Sequence, residues 1–218
     1  MSFDKKNEKV SSSSILFCIV GPAGVGKSSL VEKLILERKG LISRSISSTT
    51  RTPRSSEKNG REYFFLTHKE FKDKLSRDEF LEWEDNHGEL YGTSKEVVDL
   101  AIDAGKNLAF VIDIRGAASL KAVYPLLTVA VFIAPRSFSV LDERIRGRGA
   151  EEEGQIQKRL ETAKRELKAL KEEIRLPSTL DYLIVNQDLE VAYKELEKIF
   201  DVERLKIKHW SKNFTIDV

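Results

Sequence analysis

The chain has one cysteine, almost no net charge and no apolar run long enough for a membrane. With only Cys18 available an internal disulfide is excluded, which fits a reducing compartment. Cys18 itself sits inside the apolar run ILFCIV and reads as a small buried residue. Thirty-seven Lys and Arg against thirty-five Asp and Glu leave a net charge of +2, too weak an asymmetry to predict a nucleic-acid or membrane partner. Any basic function must therefore come from local clusters. The longest nearly apolar stretch, LLTVAVFIA from Leu126 to Ala134, is about half of what a membrane-spanning helix needs. The six apolar residues of ILFCIV are also fewer than the hydrophobic region of a signal peptide. The polar residues 1–14 before them read as a disordered leader, and the chain as cytoplasmic. No repeat of solenoid length is visible.

What is present is enough for one compact domain with small insertions, since the chain has 218 residues and an ordinary apolar fraction. Ile15 to Val20 is a continuous apolar run, as expected of a strand buried on both faces of a parallel sheet. A helical stripe of Leu30, Val31, Leu34 and Ile35 follows, up to about Arg38, with Gly40 as a stop. Similar runs at Leu108 to Ile112, Thr128 to Ile133 and Tyr182 to Val185 are each followed by helix-like sequence. The alternation predicts an α/β fold with a doubly wound parallel sheet. Between about Ser47 and Lys95 the pattern turns polar and aromatic, and REYFFL and EFLEWED look like antiparallel pieces of an inserted subdomain. Apolar steps of three and four predict a long helix from Gln155 to Ile174, with Pro177 beyond it, and another from Leu189 to Phe200. The tail, residues 201–218, has no strong period.

Three groups of residues carry chemistry. Gly21, four residues, then Gly26, Lys27 and Ser28 match the phosphate-binding loop pattern, in its required place between a buried strand and a helix. Glycines let the backbone N–H groups wrap a phosphate, and the helix adds the positive end of its dipole. Lys27 would reach the terminal phosphates and Ser28 would offer its hydroxyl to Mg2+. A second segment, SISSTTRTPRSSEKNGREYFF, gathers Arg51, Arg54 and Tyr63, which suits a phosphate monoester, although an exposed basic loop explains the same residues equally well. Third, FLEWEDNHGELYGTS holds Glu82, Tyr91 and Thr93. A carboxylate at an apolar strand edge can accept the adjacent N1–H and 2-amino donors of guanine, but a solvated glutamate is the plainer reading of Glu82.

Taken in order, GPAGVGKSSL, SISSTTRTPR, EYFF, FLEW, YGT, DIRGA, RIRGRG and IVNQDL resemble the motifs of the guanylate kinase family from about Ile15 to Phe200. The resemblance implies a P-loop doubly wound parallel sheet core (15–46 and 96–200), an inserted mixed-β GMP-binding subdomain (47–95) and a helical lid at about 137–160. It implies ATP held by Gly21, Ala23, Gly24, Val25, Gly26, Lys27, Ser28, Ser29, Arg148 and Asn186, with Mg2+ accompanying the ATP at Ser28. It implies a GMP phosphate held by Arg51, Arg54, Tyr63 and Tyr91, with Glu57 supporting the arginines. Ser47, Glu82 and Thr93 would read the guanine, and Gly92, Asp113 and Arg159 complete the acceptor site. Lys27, Arg51, Arg148 and Arg159 would be catalytic, with Arg144 one helical turn before Arg148. Since the acceptor phosphate is already anionic no general base is needed, and His68, His87 and His209 form no constellation.

The sequence departs from the family where LDID is usual. Here FVID places Val111 at the first acidic position, which in the family organises the GMP end of the site and its ions, and leaves Asp113 alone. Either the acceptor end is weakened, or Val111 simply packs in its strand while Asp113 keeps its role. Smaller departures are Arg115, Ser56, Glu89, Leu90 and Ala150. The implied partners are ATP and GMP, with dGMP as a further acceptor, and neither nucleic acid nor membrane. Monomer and homodimer are equally compatible with the sequence. Two other readings are a guanylate-kinase-like binding module, against which the intact loop argues, and a kinase of the same fold for another phosphorylated acceptor, for which a guanine-reading set would have no use.

Overall fold

A computed structural model describes residues 14–86, 88–147, 153–173 and 178–206 of the chain. Its core is a five-stranded sheet made of β1 (Leu16–Val20), β2 (Ile42–Arg44), β7 (Asn107–Val111), β8 (Thr128–Pro135) and β9 (Tyr182–Asn186). The order is β2-β7-β1-β8-β9, and every neighbouring pair is parallel. β1 is central and wholly buried, and alternate residues serve opposite faces. Phe17 and Ile19 join a cluster with Leu30, Val31 and Leu34 of α1 (Lys27–Glu37) and Ala192, Tyr193, Leu196 and Phe200 of α7 (Leu189–Glu203). Leu16, Cys18 and Val20 face Val98 and Ala101 of α3 (Lys95–Asp103) and Ala117 and Leu120 of α4 (Ile114–Val123). Each large aliphatic side chain buried this way contributes about 1.5–3 kcal/mol. Both faces are therefore covered, which is why the core strands read as unbroken apolar runs.

A second sheet lies between α1 and α3 in the chain. It has the order β4-β3-β6-β5, built from β3 (Ser48–Thr49), β4 (Phe64–Phe65), β5 (Phe80–Asn86) and β6 (Glu89–Ser94). The β3–β4 pair is parallel and the other two are antiparallel, so this sheet is mixed. One helix here, α2 (His68–Ser76), has no counterpart in the expectations above. Its signal is a capping box in the sequence Thr67-His68-Lys69-Glu70. The Glu70 N–H donates to Thr67 Oγ1 at 3.2 Å, and the Thr67 N–H donates to Glu70 Oε2 at 2.7 Å.

The remaining helices are α5 (Phe138–Arg146) and α6 (Glu153–Glu173). α6 sends Ile156, Leu160 and Ala163 into the cluster shared by α1 and α7, and Leu170 into the other. Ile174, Pro177 and Arg148, together with the 1–13 part of the leader and residues 207–218 of the tail, lie outside the described residues. α7 runs three residues beyond the expected Phe200, to Glu203, from a cap in which Asp188 accepts from the N–H groups of Glu190 and Val191 at 2.9 and 3.0 Å. No helix among the described residues is long and apolar enough to cross a membrane.

Candidate active site

At the C-terminal end of β1 the chain makes a tight loop from Gly21 to Gly26 and enters α1. The backbone of Gly21 has φ 137°, and a Cβ there would lie 2.3 Å from the Ile133 carbonyl oxygen of β8. Only a residue without a side chain permits both the angle and the approach. Gly21→Ala is expected to destabilise the fold by ~3 kcal/mol through strain and overpacking, lowering the melting temperature by about 10 °C in a thermal melt.

Gly26 is the N-cap of α1, no side chain caps the helix, and its first turn carries no acid. The leading N–H groups and the positive end of the helix are thus left for an anion. Ser28 and Ser29 are exposed at this mouth, while Val25 is buried beneath it. Lys27 folds back over the loop, its Nζ donating to the carbonyls of Gly21 and, at 3.0 Å, Pro22. Asn186, at the end of β9, is buried behind the loop, and its Nδ2 donates to the Val25 carbonyl at 2.7 Å. Its Oδ1 has no partner among the described residues. Asn186 thus touches the loop rather than the open face of the site.

Glu166 of α6 is a further residue at the loop, not singled out from the sequence. The backbone N–H of Ala23 faces its carboxylate and Lys27 lies within its field, both favouring the charged form. Burial outweighs them and pushes the carboxyl up to about 6. Its Oε2 is buried without a partner among the described residues. The only hint in the sequence is that Glu166 falls seven residues after Arg159, on the same side of one helix.

Between the two sheets is a cavity of about 250 Å³. β5 and β6 pair so that Glu82 lies opposite Thr93, Trp83 opposite Gly92 and Glu84 opposite Tyr91. Thr93 Oγ1 donates to Glu82 Oε1 at 2.5 Å. Burial nevertheless pushes Glu82 up to about 6, with Glu84 and Asp113 adding to the rise and the Thr93 hydrogen bonds opposing it. Ser47, Tyr63 and Tyr91 line the same cavity, with Val111 and Asp113 on its core side. Asp113 also caps α4, accepting from the Gly116 N–H at 2.7 Å, and takes a bond from the exposed Arg115 at 3.2 Å. Gly92 is buried, with room for no more than a hydrogen between Phe71, Phe80 and the Glu82 carbonyl, since a Cβ would come within 3.0–3.1 Å of all three.

The arginine loop reaches this cavity through Tyr63, which lines it and carries Arg51 over its ring. Arg51 donates from Nη2 to both oxygens of Glu57 at 2.8 and 3.0 Å, lies 5.6 Å from the Tyr63 ring centre, and shares a hydrogen bond with Tyr91. Glu57 also accepts from the backbone N–H of Arg54 at 2.8 Å, and these bonds hold its carboxyl below the usual range. The structure therefore presets Arg51 and leaves Arg54 exposed. From α5, Arg144 donates to the carbonyls of Asn186 and Gln187, both at 3.2 Å. Arg159 is half-buried on α6. Of the expected site residues only Arg148 is outside the described residues.

No group of three or more His, Cys, Asp or Glu side chains that could hold a metal ion occurs among the described residues. The Ser28 hydroxyl is exposed at the head of α1.

The guanylate kinase family model matches residues 13–203. Guanylate kinase from Thermotoga maritima is 42% identical over 192 residues, covering 88% of either chain. That of Prochlorococcus marinus is 43% identical over 184 residues, covering 84% of this chain and 95% of the relative. The crystal structure of guanylate kinase from Anaplasma phagocytophilum superposes with a TM-score of 0.70 at 27% identity, over 91% of this chain and 90% of that one. With a family model spanning both sheets and the phosphate loop, and relatives above 40% identity along nearly their whole length, the chain belongs to the guanylate kinase family.

Proposed function

We propose that the chain transfers the γ-phosphoryl group of ATP to GMP, and to dGMP, forming ADP and the nucleoside diphosphate. One observation carries the reading: a half-buried, threonine-braced carboxylate suited to guanine lines a cavity between the two sheets of a chain whose central strand runs into a phosphate loop. In this reading Gly21 to Ser29 cradle the ATP phosphates and Lys27 turns from its own loop carbonyls to the terminal ones. Mg2+ held at Ser28 supplies charge neutralisation on the phosphates.

On the acceptor side Arg51, Arg54, Tyr63 and Tyr91 grip the GMP phosphate, with Glu57 fixing Arg51. Glu82, with Thr93 and Ser47, selects guanine, because adenine has neither an N1–H nor a 2-amino group and would leave the carboxylate unpaired. Asn186 acts by supporting the loop from behind. Arg148 and Arg159 bring positive charge to the transferring group, so that alignment and electrostatics supply the catalysis.

The test is ADP release in a coupled assay with Mg2+ and ATP against GMP, dGMP, AMP, CMP, UMP and ribose phosphates. Turnover confined to GMP and dGMP is expected. No turnover with any acceptor overturns the kinase reading, and equal turnover with AMP overturns the role of Glu82.

A further inference from the structure

Two residues before Ser47 stands a hydroxyl that the acceptor site as described does not use. Ser45 follows β2 directly, and its N–H donates to the Ala109 carbonyl of β7 at 2.9 Å. The residue is only 8% exposed, and its Oγ is buried with no partner among the described residues. Buried hydroxyls are as a rule hydrogen-bonded, so this one calls for a group that the chain around it does not supply.

Ser45 lines a side pocket of about 50 Å³ that shares Ser47, Tyr63, Val111 and Ile112 with the acceptor cavity and so branches from it. The two charged residues in its wall are engaged elsewhere: Arg44 pairs with Glu32 at 3.6 Å, and Glu62 accepts from the Lys58 N–H at 2.7 Å. A neutral hydrogen-bonding group therefore suits the pocket better than an ion. Its size admits a hydroxyl or a water and excludes an aromatic ring.

Strand register fixes where the pocket branches off. Ser48 pairs with Phe64 on one side and Gly92 on the other, and Thr93 pairs with Glu82. Taken one residue back along β3, the same register sets Ser47 beside Tyr63 and beside Thr93, in line with Glu82. The Phe64 N–H donates to the Ser47 carbonyl at 2.9 Å and holds that row together. At one end of the row Arg51 lies over the Tyr63 ring, and at the other Thr93 braces the Glu82 carboxylate. A nucleoside monophosphate lying along it has its phosphate at the arginine end and its base at the carboxylate end. Its sugar then comes against Ser47, where the side pocket opens.

We propose that the Ser45 pocket is a subsite for a ribose hydroxyl of the acceptor, and that Ser45 makes the site prefer that hydroxyl over its absence. The proposal rests on the guanylate kinase reading of the cavity. The sugar hydroxyl and Ser45 Oγ satisfy one another, and an acceptor without that hydroxyl leaves the buried Oγ unpaired, which is the condition under which a site discriminates strongly.

The experiment measures kcat/KM with Mg2+ and ATP for GMP, 2′-deoxy-GMP and 3′-deoxy-GMP, in the parent chain, Ser45→Ala and Ser45→Cys. The parent is expected to prefer GMP about tenfold over one of the two deoxy acceptors, which identifies the hydroxyl. In Ser45→Ala that preference is expected to fall to within about twofold of equality. An unpartnered hydroxyl adds little to folding, so the melting temperature of Ser45→Ala should match the parent's. Ser45→Cys keeps the size and offers a weaker donor, and should lose at least about threefold of the preference; it decides if Ser45→Ala does not fold. A purely structural role for Ser45 would shift all three acceptors by the same factor, and that result overturns the proposal. So does a parent that treats the three acceptors alike, or a Ser45 variant with parental selectivity. A parent chain that turns over none of them overturns the reading of the cavity and this proposal with it, whereas an active parent whose selectivity is untouched by Ser45 variants overturns the proposal alone.

Discussion

Replacing Lys27 with methionine is expected to lower the rate of phosphoryl transfer to GMP by about a thousandfold. Methionine keeps the length of the stem and removes only the charge and its donors. In phosphoryl transfer the protein does little covalent work, so a lost cation at the phosphates cannot be offset by a neighbouring acid or base. The structure adds a second, smaller effect. The Lys27 ammonium donates to the carbonyls of Gly21 and Pro22, and both of those residues are buried. Removing the donor should cost about 1 kcal/mol, a fall of about 2–4 °C in melting temperature. Arginine is not a conservative exchange here, because its planar fork is larger than the ammonium that fits over the loop. A Lys27→Met protein with a parental single-turnover rate would remove Lys27 from the mechanism.

Glu82→Gln is expected to cut kcat/KM for GMP by about a hundredfold while making the empty protein more stable at neutral pH. Guanine's paired donors suit a carboxylate, and an amide offers one acceptor and a clashing donor in its place. The stability gain follows from burial, which lifts the Glu82 carboxyl from 4.5 to about 6. Below pH 4.5 the group is protonated in both folded and unfolded chains and contributes nothing. Between about 4.5 and 6 the unfolded chain ionises first, the folded state retains more protons, and stability falls as pH rises. Above 6 the full penalty of ~2 kcal/mol is in place. The melting temperature of Glu82→Gln should therefore match the parent's near pH 4 and exceed it by several degrees at pH 8. Guanine donors favour the ionised form, so KM for GMP in the parent should rise as pH falls through about 6. A difference in melting temperature that is the same at both pH values would refute the account of Glu82 as a carboxylate ionised at a cost.

These two residues also mark how far the chain can be read without its structure. Lys27 is legible because everything that places it is contiguous: the buried run before it, the glycines and the amphipathic helix after it. Glu82 is different. Its bond comes from Thr93, eleven residues on, while burial lifts it most, helped by the like charges of Glu84 and of Asp113 at the head of α4. From sequence alone it was indistinguishable from a solvated glutamate until set beside the other motifs. Glu84 and Glu166 were missed for the same reason, since strand pairing and helix packing bring them to the cleft. α2 was missed for a different one. Thr67 and Glu70 do spell a helix start, but its single buried residue, Phe71, leaves almost no apolar stripe to read. β2, three residues long at the sheet edge, offers too little sequence for any period.

Arg159 and Glu166 are borne on one helix, and that has a mechanical consequence. α6 has 21 residues and is a rod ~31 Å long, with Glu166 against the phosphate loop and Arg159 ~10 Å nearer its start. If the rod swings about its contact with the loop, displacement grows in proportion to distance from that fulcrum. A tilt of ~10° carries Arg159 through about 2 Å and Glu153, the first residue of the helix, through about 3.5 Å. On the proposed kinase reading, with residues up to about 160 as a lid, the leverage between loop and lid would be set by residue spacing: inserting or deleting a turn between positions 159 and 166 would change the gearing of closure without touching either end.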